Sequence, residues 1–391
     1  MSWRRGSRGA TLGGLVAVLL LALRAGASDP RPSANHRGAD QPVPAARPVD
    51  PDAWQRALPG RTVALPADHA AHPAYRIEWW YYTGNLRAPD GRAFGYQVTF
   101  FRVGVVRDPV NPSAFAVRDL YMTHVALTDV SAGRHRFADR LNRAGVQWAG
   151  AAADRYEVWN DSWRAWEDAQ SQHRVVADAG EFALDLTLAP GKTPVLQGDR
   201  GYSRKGRDPG NASYYYSLTR MPTTGTVSVD GRQWTVEGAS WMDHEFGTSA
   251  LDPDTRGWDW FALQLSDGRE LMVYRLRRDD GTSGPFSSGT LVERDGRTRQ
   301  LSVSDFTLVP GRQWRSPKSG ASYPVVWQVR VPSAGLDLAV EAALDAQELR
   351  TRRSTNVTYW EGSVRVSGSA TGVGYLEMTG YSGAKLSDVM R

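Results

Sequence analysis

The amino-acid sequence predicts an all-β protein made of two similar antiparallel β-barrels in tandem, with a few short helices. Three observations indicate this fold. Apolar runs are short and alternate with polar residues. Asp-Gly turns separate these runs at intervals of roughly 8–12 residues, which is typical of barrels and sandwiches. One aromatic hairpin pattern occurs twice.

The repeated pattern is a Trp-rich strand, an Asp-Gly-Arg turn and a second strand that ends in arginine. It covers residues 79–102 and again 258–278, and its turns begin at Asp90 and Asp267, 177 residues apart. Duplication of one barrel explains this spacing most simply, because a fixed period indicates a repeated structural unit. Chance likeness between two aromatic hairpins is the alternative.

Each copy is followed by a further predicted strand, a polar turn and another strand. These predicted strands cover residues 121–129 and 137–141 after the first copy, and 286–293 and 300–308 after the second. Helix candidates are few and short, at residues 161–170 and 338–349.

The first 27 residues are predicted to be a cleaved signal peptide. Arg4, Arg5 and Arg8 precede an apolar run over residues 12–23, and small residues follow at 25–27. A single membrane anchor is less favoured, because the run is shorter than the roughly 20 residues that span a bilayer. The predicted location is therefore periplasmic or secreted, with the Sec and twin-arginine routes both open.

The rest of the chain divides by composition into three parts. Residues 28–67 are rich in proline and alanine and poor in large apolar residues, so we expect a disordered tether. An N-terminal barrel domain is predicted over 68–247 and a C-terminal one over 248–391. No stable membrane anchor is expected after signal cleavage.

The composition argues against several functions. The chain has no cysteine, which excludes disulfides, thiolate metal sites and a cysteine nucleophile. Without the predicted signal peptide the formal charge falls from +5 to +1, which argues against a nucleic-acid partner. The seven histidines are scattered and form no His-Glu-x-x-His motif, so no metal and no cofactor are predicted.

The first aromatic strand has no plainly solvated face. Alternation places Glu78, Trp80 and Tyr82 on one face, while Gln97 and its neighbours in the next strand add a second largely apolar face. Such strands lie in a core or line an enclosed apolar cavity. Fourteen of the 15 tryptophans follow residue 27, which favours a pocket for a long unsaturated ligand over ordinary core filling.

The densest polar cluster is Asp243, His244 and Glu245, within an otherwise apolar stretch. On a strand, Asp243 and Glu245 would face one way and His244 the other. Two carboxylates in an apolar cavity would raise one pKa and provide a general acid near neutral pH. The alternative is a salt-bridged pair with Arg275 or Arg102.

Several segments resemble the AttH-like and carotenoid 1,2-hydratase-like secreted proteins. The matching segments are EWWYYTGNL (78–86), GYQVTFFR (95–102), THVALTD (123–129), LQGDRGYSRKG (196–206), YYYSLTRMPTTGTVSVDG (214–231) and ASWMDHEFGT (239–248). This resemblance implies two lipocalin-like barrels or half-barrels with a ligand cavity near their junction.

The resemblance also implies roles for individual residues. In a hydratase, Asp243 would protonate an alkene carbon, with His244 and Glu245 alongside it, and aromatic faces would stabilise the resulting carbocation. Phe246 stands where relatives often carry a tryptophan. The residues expected to bind ligand are Glu78, Trp80, Tyr82, Gln97, His124, Trp241, Phe246, Trp258, Trp260 and Tyr274. For His124 alone, spacing more often indicates a core histidine.

Three functions remain open at this level. The first is acid-catalysed hydration of an isolated double bond in a long hydrophobic ligand of isoprenoid, lipid or polyketide type, without a cofactor. The second is a non-catalytic carrier of lipid or hydrophobic metabolites, associated with components of an ABC transporter. The third is a secreted ester hydrolase, although no nucleophile elbow is visible.

Overall fold

The structure is a computed structural model that describes residues 54–107, 111–113, 115–248, 251–383 and 385. The predicted signal peptide at 1–27 lies outside the described residues. Residues 54–67 belong to the predicted tether, but the structure places Trp54, Ala57 and Val63 in buried positions. The prediction therefore placed the end of the disordered segment too far along the chain. Large apolar side chains in this stretch gain contact with the barrel, which offsets the entropy of ordering it.

Strands dominate the described residues because short runs of alternating apolar and polar residues suit a pleated backbone. The N-terminal sheet comprises β1 (Ile77–Arg87), β2 (Ala93–Gly104), β3 (Asp119–Asp129), β4 (Arg134–Arg143), β5 (Ala149–Ala151), β6 (Glu157–Asn160), β7 (Trp163–Glu167), β8 (His173–Asp178), β9 (Phe182–Leu188), β10 (Val195–Leu196), β11 (Tyr202–Arg204), β12 (Ala212–Val229) and β13 (Arg232–Gly247).

The C-terminal sheet follows after residue 254. It comprises β14 (Thr255–Leu265), β15 (Glu270–Arg278), β16 (Ser288–Val292), β17 (Thr298–Ser302), β18 (Thr307–Pro310), β21 (Val326–Val331), β22 (Leu336–Ala342), β23 (Glu348–Arg350), β24 (Thr358–Gly368) and β25 (Gly372–Met378), while β19 (Gln313–Arg315) and β20 (Ser322–Pro324) form a separate pair. Short 3-10 helices cover Ala67–His69 and Pro332–Ala334. In the described part of the chain, no helix is long and apolar enough to cross a membrane.

The two sheets have the same strand order. The first runs β4-β3-β2-β1-β13-β12-β9-β8, and the second runs β17-β16-β15-β14-β25-β24-β22-β21. In each sheet a four-strand meander comes first, and the first strand then pairs antiparallel with the last. The N-terminal sheet forms a nearly closed barrel and the C-terminal sheet a half-barrel, which confirms the predicted fold class.

The two Asp-Gly-Arg turns also share their geometry. Gly91 and Gly268 have φ of 85° and 88°, a left-handed conformation that glycine adopts without steric cost. In both turns the aspartate Oδ1 accepts a hydrogen bond from the amide two residues later, at 3.0 Å. The repeat read from the sequence therefore corresponds to two equivalent hairpins.

Both helix candidates are wrong. Residues 163–167 form β7, in which Trp163 and Ala165 are buried and Arg164 is exposed. Residues 338–342 lie in β22, where burial also alternates. A two-residue period of burial is typical of a strand with one buried face. The short apolar pattern was ambiguous between helix and strand, and pairing with neighbouring strands determines that these segments are strands.

Candidate active site between the two sheets

The candidate residues Asp243, His244 and Glu245 are positioned by β13, which lies between β1 and β12 and is buried on both faces over residues 240–247. Asp243 pairs with Tyr81 of β1 and Ser217 of β12, while His244 pairs with Trp80 and Tyr216. Because side chains alternate along a strand, Asp243 faces the C-terminal sheet and His244 faces the barrel interior. Asp243 and His244 thus lie on opposite faces of the strand, as the alternation predicted, and the two side chains do not share one site.

The barrel interior contains an ion cluster around Glu78, which is fully buried. Its carboxylate accepts hydrogen bonds from Arg102 Nε at 3.0 Å, His72 Nδ1 at 2.8 Å and His244 Nε2 at 2.9 Å. Burial raises the pKa of Glu78, but the bonds from His244 and His72 and the charge of Arg102 outweigh it and hold the pKa below its usual range. Glu78 is therefore a satisfied buried anion.

His72, Glu78 and His244 have possible metal-ligand atoms that all lie within 4.8 Å of one another. Whether these residues could hold a metal ion depends on their protonation. Both ring nitrogens of His72 contact carboxylates, Glu78 at 2.8 Å and Asp68 at 3.1 Å. Burial lowers the pKa of His72, but these two carboxylates raise it overall. A doubly protonated imidazole has no lone pair for a metal, so the donor set fits a hydrogen-bonded ion cluster better than a metal site.

The opposite face of β13 belongs to the inter-sheet layer, which we define by two facing rows of side chains. One row crosses the N-terminal sheet and the other crosses the C-terminal sheet. The rows are Ser217, Asp243 and Tyr81 in the first sheet, and Tyr274, Trp260, Glu377 and Glu361 in the second. The rings of Tyr81 and Trp260 meet edge to face at a centroid distance of 5.2 Å.

Asp243 is the central carboxyl group of this layer and is 3% exposed. It accepts hydrogen bonds from Tyr215 Oη at 2.7 Å, Ser217 Oγ at 2.5 Å and Trp241 Nε1 at 2.6 Å. Burial raises the pKa of Asp243 to about 7, even though these three donors lower it. The layer thus holds a carboxyl group that gains and loses a proton near neutral pH.

Neither arginine considered from sequence pairs with Asp243 or Glu245. Arg102 bonds Glu78 inside the barrel, and Arg275 bonds Asp259 at 2.6 Å. Among the described residues, Lys205 is the cation of the layer, and it pairs with Glu245 at 3.2 Å. Lys205 therefore neutralises Glu245 and leaves Asp243 to be held by uncharged donors.

Two further acids, Glu361 and Glu377, were missed from sequence. Both are on neighbouring strands β24 and β25 and face the layer side by side. Burial raises the pKa of each, and the charges of Asp243 and Glu245 raise that of Glu377 further. The available signal was the same as for Asp243, a single carboxylate within an aromatic or apolar strand: TYWEGS for Glu361 and GYLEMT for Glu377.

Four buried oxygens of the layer make no hydrogen bond within the protein. They are Tyr81 Oη, Gln97 Oε1, Glu361 Oε1 and Tyr375 Oη. Tyr81 lies near enough to Glu361, and Tyr375 near enough to Thr128, to affect the pKa of the tyrosine, although neither pair reaches hydrogen-bond geometry. Because buried polar atoms are nearly always paired, these oxygens are the least satisfied polar groups of the inter-sheet side.

The residues predicted to bind ligand fall into two groups. Glu78, Trp80, Tyr82 and Phe246 are inside the barrel with His244, and belong to its core or ion cluster. The predicted residues on the inter-sheet side are Gln97, His124, Trp241, Trp258, Trp260 and Tyr274. Four of the aromatic residues come together, because Trp241, Trp260 and Tyr274 form one buried cluster and Trp258 packs against it. Alternation along the strands keeps the barrel-side residues away from this cluster.

His124 is accounted for by its bonds to the C-terminal sheet. Its Nδ1 lies 2.7 Å from Tyr359 Oη and its Nε2 lies 2.9 Å from Ser354 Oγ. Burial lowers the pKa of His124 to about 3, so it is neutral. It joins the two sheets, as spacing alone suggested for a core histidine.

Comparison with protein-family models identifies one family. The AttH-like family model matches residues 56–381, which include every strand of both sheets. The chain belongs to the AttH-like family. This confirms the family that the sequence motifs indicate.

Relatives of this AttH-like protein include hydratases and a dehydratase. The dehydratase asqC of Emericella nidulans is 22% identical over 205 residues, which are 51% of this chain and 57% of that protein. The acyclic carotenoid 1,2-hydratase of Cereibacter sphaeroides is 33% identical over 81 residues, which are 20% of this chain and 27% of that enzyme. The matched segments span less than two thirds of either relative.

Solved structures share the fold. An AttH candidate from Nitrosomonas europaea has a TM-score of 0.77 and 34% identity, covering 84% of this AttH-like chain and 100% of that one. Kievitone hydratase of Nectria haematococca has a TM-score of 0.65 and 16% identity, covering 86% and 98%. At that identity the second likeness concerns the fold alone.

The Glu78 cluster predicts a large stability effect. Glu78→Gln should lower the free energy of unfolding at pH 7 by about 3–5 kcal/mol, because it removes the buried anion that Arg102 and His72 require. Urea denaturation measures the loss. The control Asp185→Asn removes an exposed partner of Arg174 and should cost less than about 1 kcal/mol. Equal, small losses in both variants would contradict the assignment.

The raised pKa of Asp243 predicts a pH dependence of stability with a definite sign. Folding keeps this carboxyl group protonated up to about pH 7, whereas in the unfolded chain it ionises near the ordinary aspartate pKa of 3.8. The stability present below that value is therefore lost as pH rises towards 7. The Asp243→Asn variant has no carboxyl group at this position, so its free energy of unfolding should fall by less than that of the wild type between these pH values. The difference between the two falls should be on the order of 3 kcal/mol.

Denaturation of both proteins across this pH range checks the expectation, with Asp185→Asn as the matched exposed control. The wild type and the control should show the same pH slope. An unchanged slope in Asp243→Asn would mean that Asp243 titrates like an ordinary aspartate.

Proposed function

We propose that this AttH-like protein is a cofactor-independent hydratase or dehydratase that uses Asp243 as its acid. The observation that supports this most directly is a fully buried carboxyl group, with a pKa near 7, bounded by aromatic rings and held by three uncharged donors. A group that carries a proton at neutral pH and sits away from bulk water is suited to general acid catalysis.

The proposed hydration begins with transfer of the Asp243 proton to one carbon of an isolated double bond. The neighbouring carbon becomes a carbocation, and the aromatic rings near Asp243, including Trp260, would stabilise its positive charge. A water molecule then forms the new C–O bond, and the proton it releases returns to the Asp243 carboxylate. The net change is addition of one water, and dehydration follows the same steps in reverse.

The names of the relatives support this reaction class. The asqC protein is a dehydratase and the Cereibacter sphaeroides protein is a hydratase of acyclic carotenoids. Because each match covers part of the relative, the substrate is proposed at the level of a long hydrophobic molecule with an isolated double bond. Carotenoid, terpenoid and polyketide-like ligands all have this character.

A non-catalytic carrier is the second candidate, and the four unpaired oxygens of the layer favour it as much as they favour an enzyme. A carrier would bind a polyene saturably, quench tryptophan fluorescence and release the ligand unchanged. Ligand binding without product therefore identifies a carrier.

Export is part of the proposal and is supported by residues 1–27. A periplasmic or secreted carrier would fit association with an ABC transporter. Fractionation of cells that express the full chain tests the location, and replacing Arg4 and Arg5 by lysine should block the twin-arginine route but leave the Sec route open.

The catalytic proposal predicts a specific loss of turnover. Incubation with lycopene in oxygen-18 water should give a labelled alcohol, detected by mass spectrometry. Asp243→Asn should reduce the rate by at least about 100-fold, because it removes the transferable proton. In the wild type, the rate should fall as pH rises through about 7, where Asp243 loses its proton.

The exposed variant Asp185→Asn serves as the control and should keep full activity with the same pH profile. Labelled product at an undiminished rate in Asp243→Asn would rule out the proposed acid. Saturable lycopene binding with no labelled product in any protein would favour the carrier.

A further inference from the structure

The outer face of the N-terminal barrel is apolar beyond the buried inter-sheet layer. In β1, Ile77 and Trp79 lie on the same face as Tyr81 of the layer, because side chains two residues apart on a strand share a face. Tyr81 is buried, whereas Ile77 and Trp79 are half-buried. The covered layer therefore continues into a partly exposed face towards the start of β1.

Pairing among strands β1 to β4 extends this face into two rows of apolar side chains. Leu141 is exposed and the other members are half-buried. The rows are Ile77, Val103 and Leu120, followed by Trp79, Phe101, Met122 and Leu141. A continuous apolar face of this kind is typical of a surface that contacts a partner or a membrane.

Three exposed apolar side chains stand next to these rows. Phe115 is 58% exposed, Trp148 is 50% exposed and Val117 is 39% exposed. The Arg143 guanidinium lies 5.4 Å from each of the Phe115 and Trp148 ring centroids, and Arg143 pairs with Leu120 at the end of the first row. We call the two rows together with Phe115, Val117 and Trp148 the apolar end face.

Three arginines border the apolar end face. Arg143 lies at the end of the first row, and Arg118 directly precedes β3. Arg353 belongs to a loop of the C-terminal sheet, and its amide donates a hydrogen bond to Asp139 at 2.8 Å. Asp139 lies two residues from Leu141 on the same face of β4, so this loop adjoins the second row.

The other acids near this border pair with cations elsewhere. Asp119 pairs with Arg102 at 2.9 Å. Asp161, whose amide bonds the Trp148 oxygen, pairs with Arg140 at 3.4 Å. In the part of the chain that the structure describes, none of the three bordering guanidinium groups has a carboxylate partner, so the border of the apolar end face is positively charged.

We propose that the apolar end face docks on the surface of an anionic lipid bilayer. Aromatic and aliphatic side chains gain by entering the boundary between headgroups and acyl chains, roughly 5–10 Å deep, and tryptophan is typical of that depth. The arginine stems would lie along the apolar surface while their guanidinium groups reach lipid phosphates. Positive charge adds attraction to an anionic surface.

Charge also argues against a second copy of this chain as the occupant of the face. A symmetric dimer through the apolar end face would place the same patch opposite itself, so bordering arginines would face arginines. Like charges across an interface are costly. An anionic lipid surface supplies the opposite charge that this border lacks.

The chain contains no cysteine, so a single introduced thiol can be labelled in the full chain. Val117→Cys places an environment-sensitive dye on the apolar end face, and Val373→Cys is the matched control, because the two valines are 39% and 38% exposed. Val373 lies next to Gly374, whose oxygen accepts a hydrogen bond from Asn85 at 3.1 Å. Asn85 and Ile77 are near opposite ends of β1, about 26 Å apart along the strand, so the control dye is remote from the face.

Vesicles of equal parts phosphatidylglycerol and phosphatidylcholine should raise the dye emission of Val117→Cys severalfold, because the dye leaves water. Nitroxide-labelled lipid should then quench this emission. The emission of Val373→Cys should stay nearly unchanged. Vesicles of phosphatidylcholine alone should require about tenfold more lipid for half of the response, because the arginines lose their electrostatic attraction.

Variants of the labelled protein separate the apolar and the charged contributions. Trp148→Ser should raise the lipid concentration for half of the response about fivefold, and Arg118→Gln combined with Arg143→Gln should raise it about tenfold. Arg330→Gln, which removes an exposed arginine of the C-terminal sheet, should stay within about twofold of the parent. Asp243→Asn should dock normally, so a failure of docking and a failure of the proposed catalysis are distinguishable.

Three outcomes would each overturn the assignment of the apolar end face: no dye response to anionic vesicles, an equal response at both labelled positions, or undiminished docking in both Trp148→Ser and the double arginine variant. An equal response would mean that residues outside this face bring the chain to lipid. Analytical ultracentrifugation without lipid tests the remaining occupant. A dimer that Trp148→Ser dissociates, together with no dye response to vesicles, would assign the face to a second copy.

Discussion

The structure depends on burial of both faces of β1 and β13. One face fills the N-terminal barrel and the other faces the C-terminal sheet, so neighbouring residues enter two different environments. Burial without water requires every charge on either face to be paired, hydrogen-bonded or neutralised by a proton. The chemistry of the protein follows from how each face meets that requirement.

Inside the barrel the requirement is met by pairing. Glu78, Arg102 and His72 form an ion cluster in which each charge has direct partners, and His244 completes it. Between the sheets it is met by protonation. Asp243 is buried, and this burial keeps its carboxyl group neutral up to about pH 7 although its three uncharged donors lower the pKa. The first arrangement stabilises a core, whereas the second provides a proton that can be transferred.

The sequence was informative where the evidence was local. Alternation in WWYY and WMDHEF separated the residues of the two faces, and the Asp-Gly-Arg turns predicted equivalent hairpins at Asp90 and Asp267. The sequence did not show which residues come into contact where strands that are distant along the chain lie side by side. Lys205 follows β11 and reaches Glu245 of β13 across β12, and Glu377 faces Asp243 from the other sheet, so neither partner could be chosen from spacing. The residues expected to bind ligand are divided between the two faces: Trp241, Trp260 and Tyr274 cluster between the sheets with Trp258 packed against them, whereas Trp80, Tyr82 and Phe246 belong to the barrel core.

The central claim is that Asp243 is a protonated carboxylic acid near neutral pH, and infrared difference spectroscopy tests it most directly. The spectrum of the wild type minus that of Asp243→Asn should contain the C=O stretch of a protonated carboxylic acid at about pH 6, identified by its shift in heavy water, because the bands of Glu361 and Glu377 occur in both proteins and cancel. Its intensity should disappear with a midpoint at about pH 7. A difference band that disappears near pH 4, the ordinary range of an aspartate, would contradict the account.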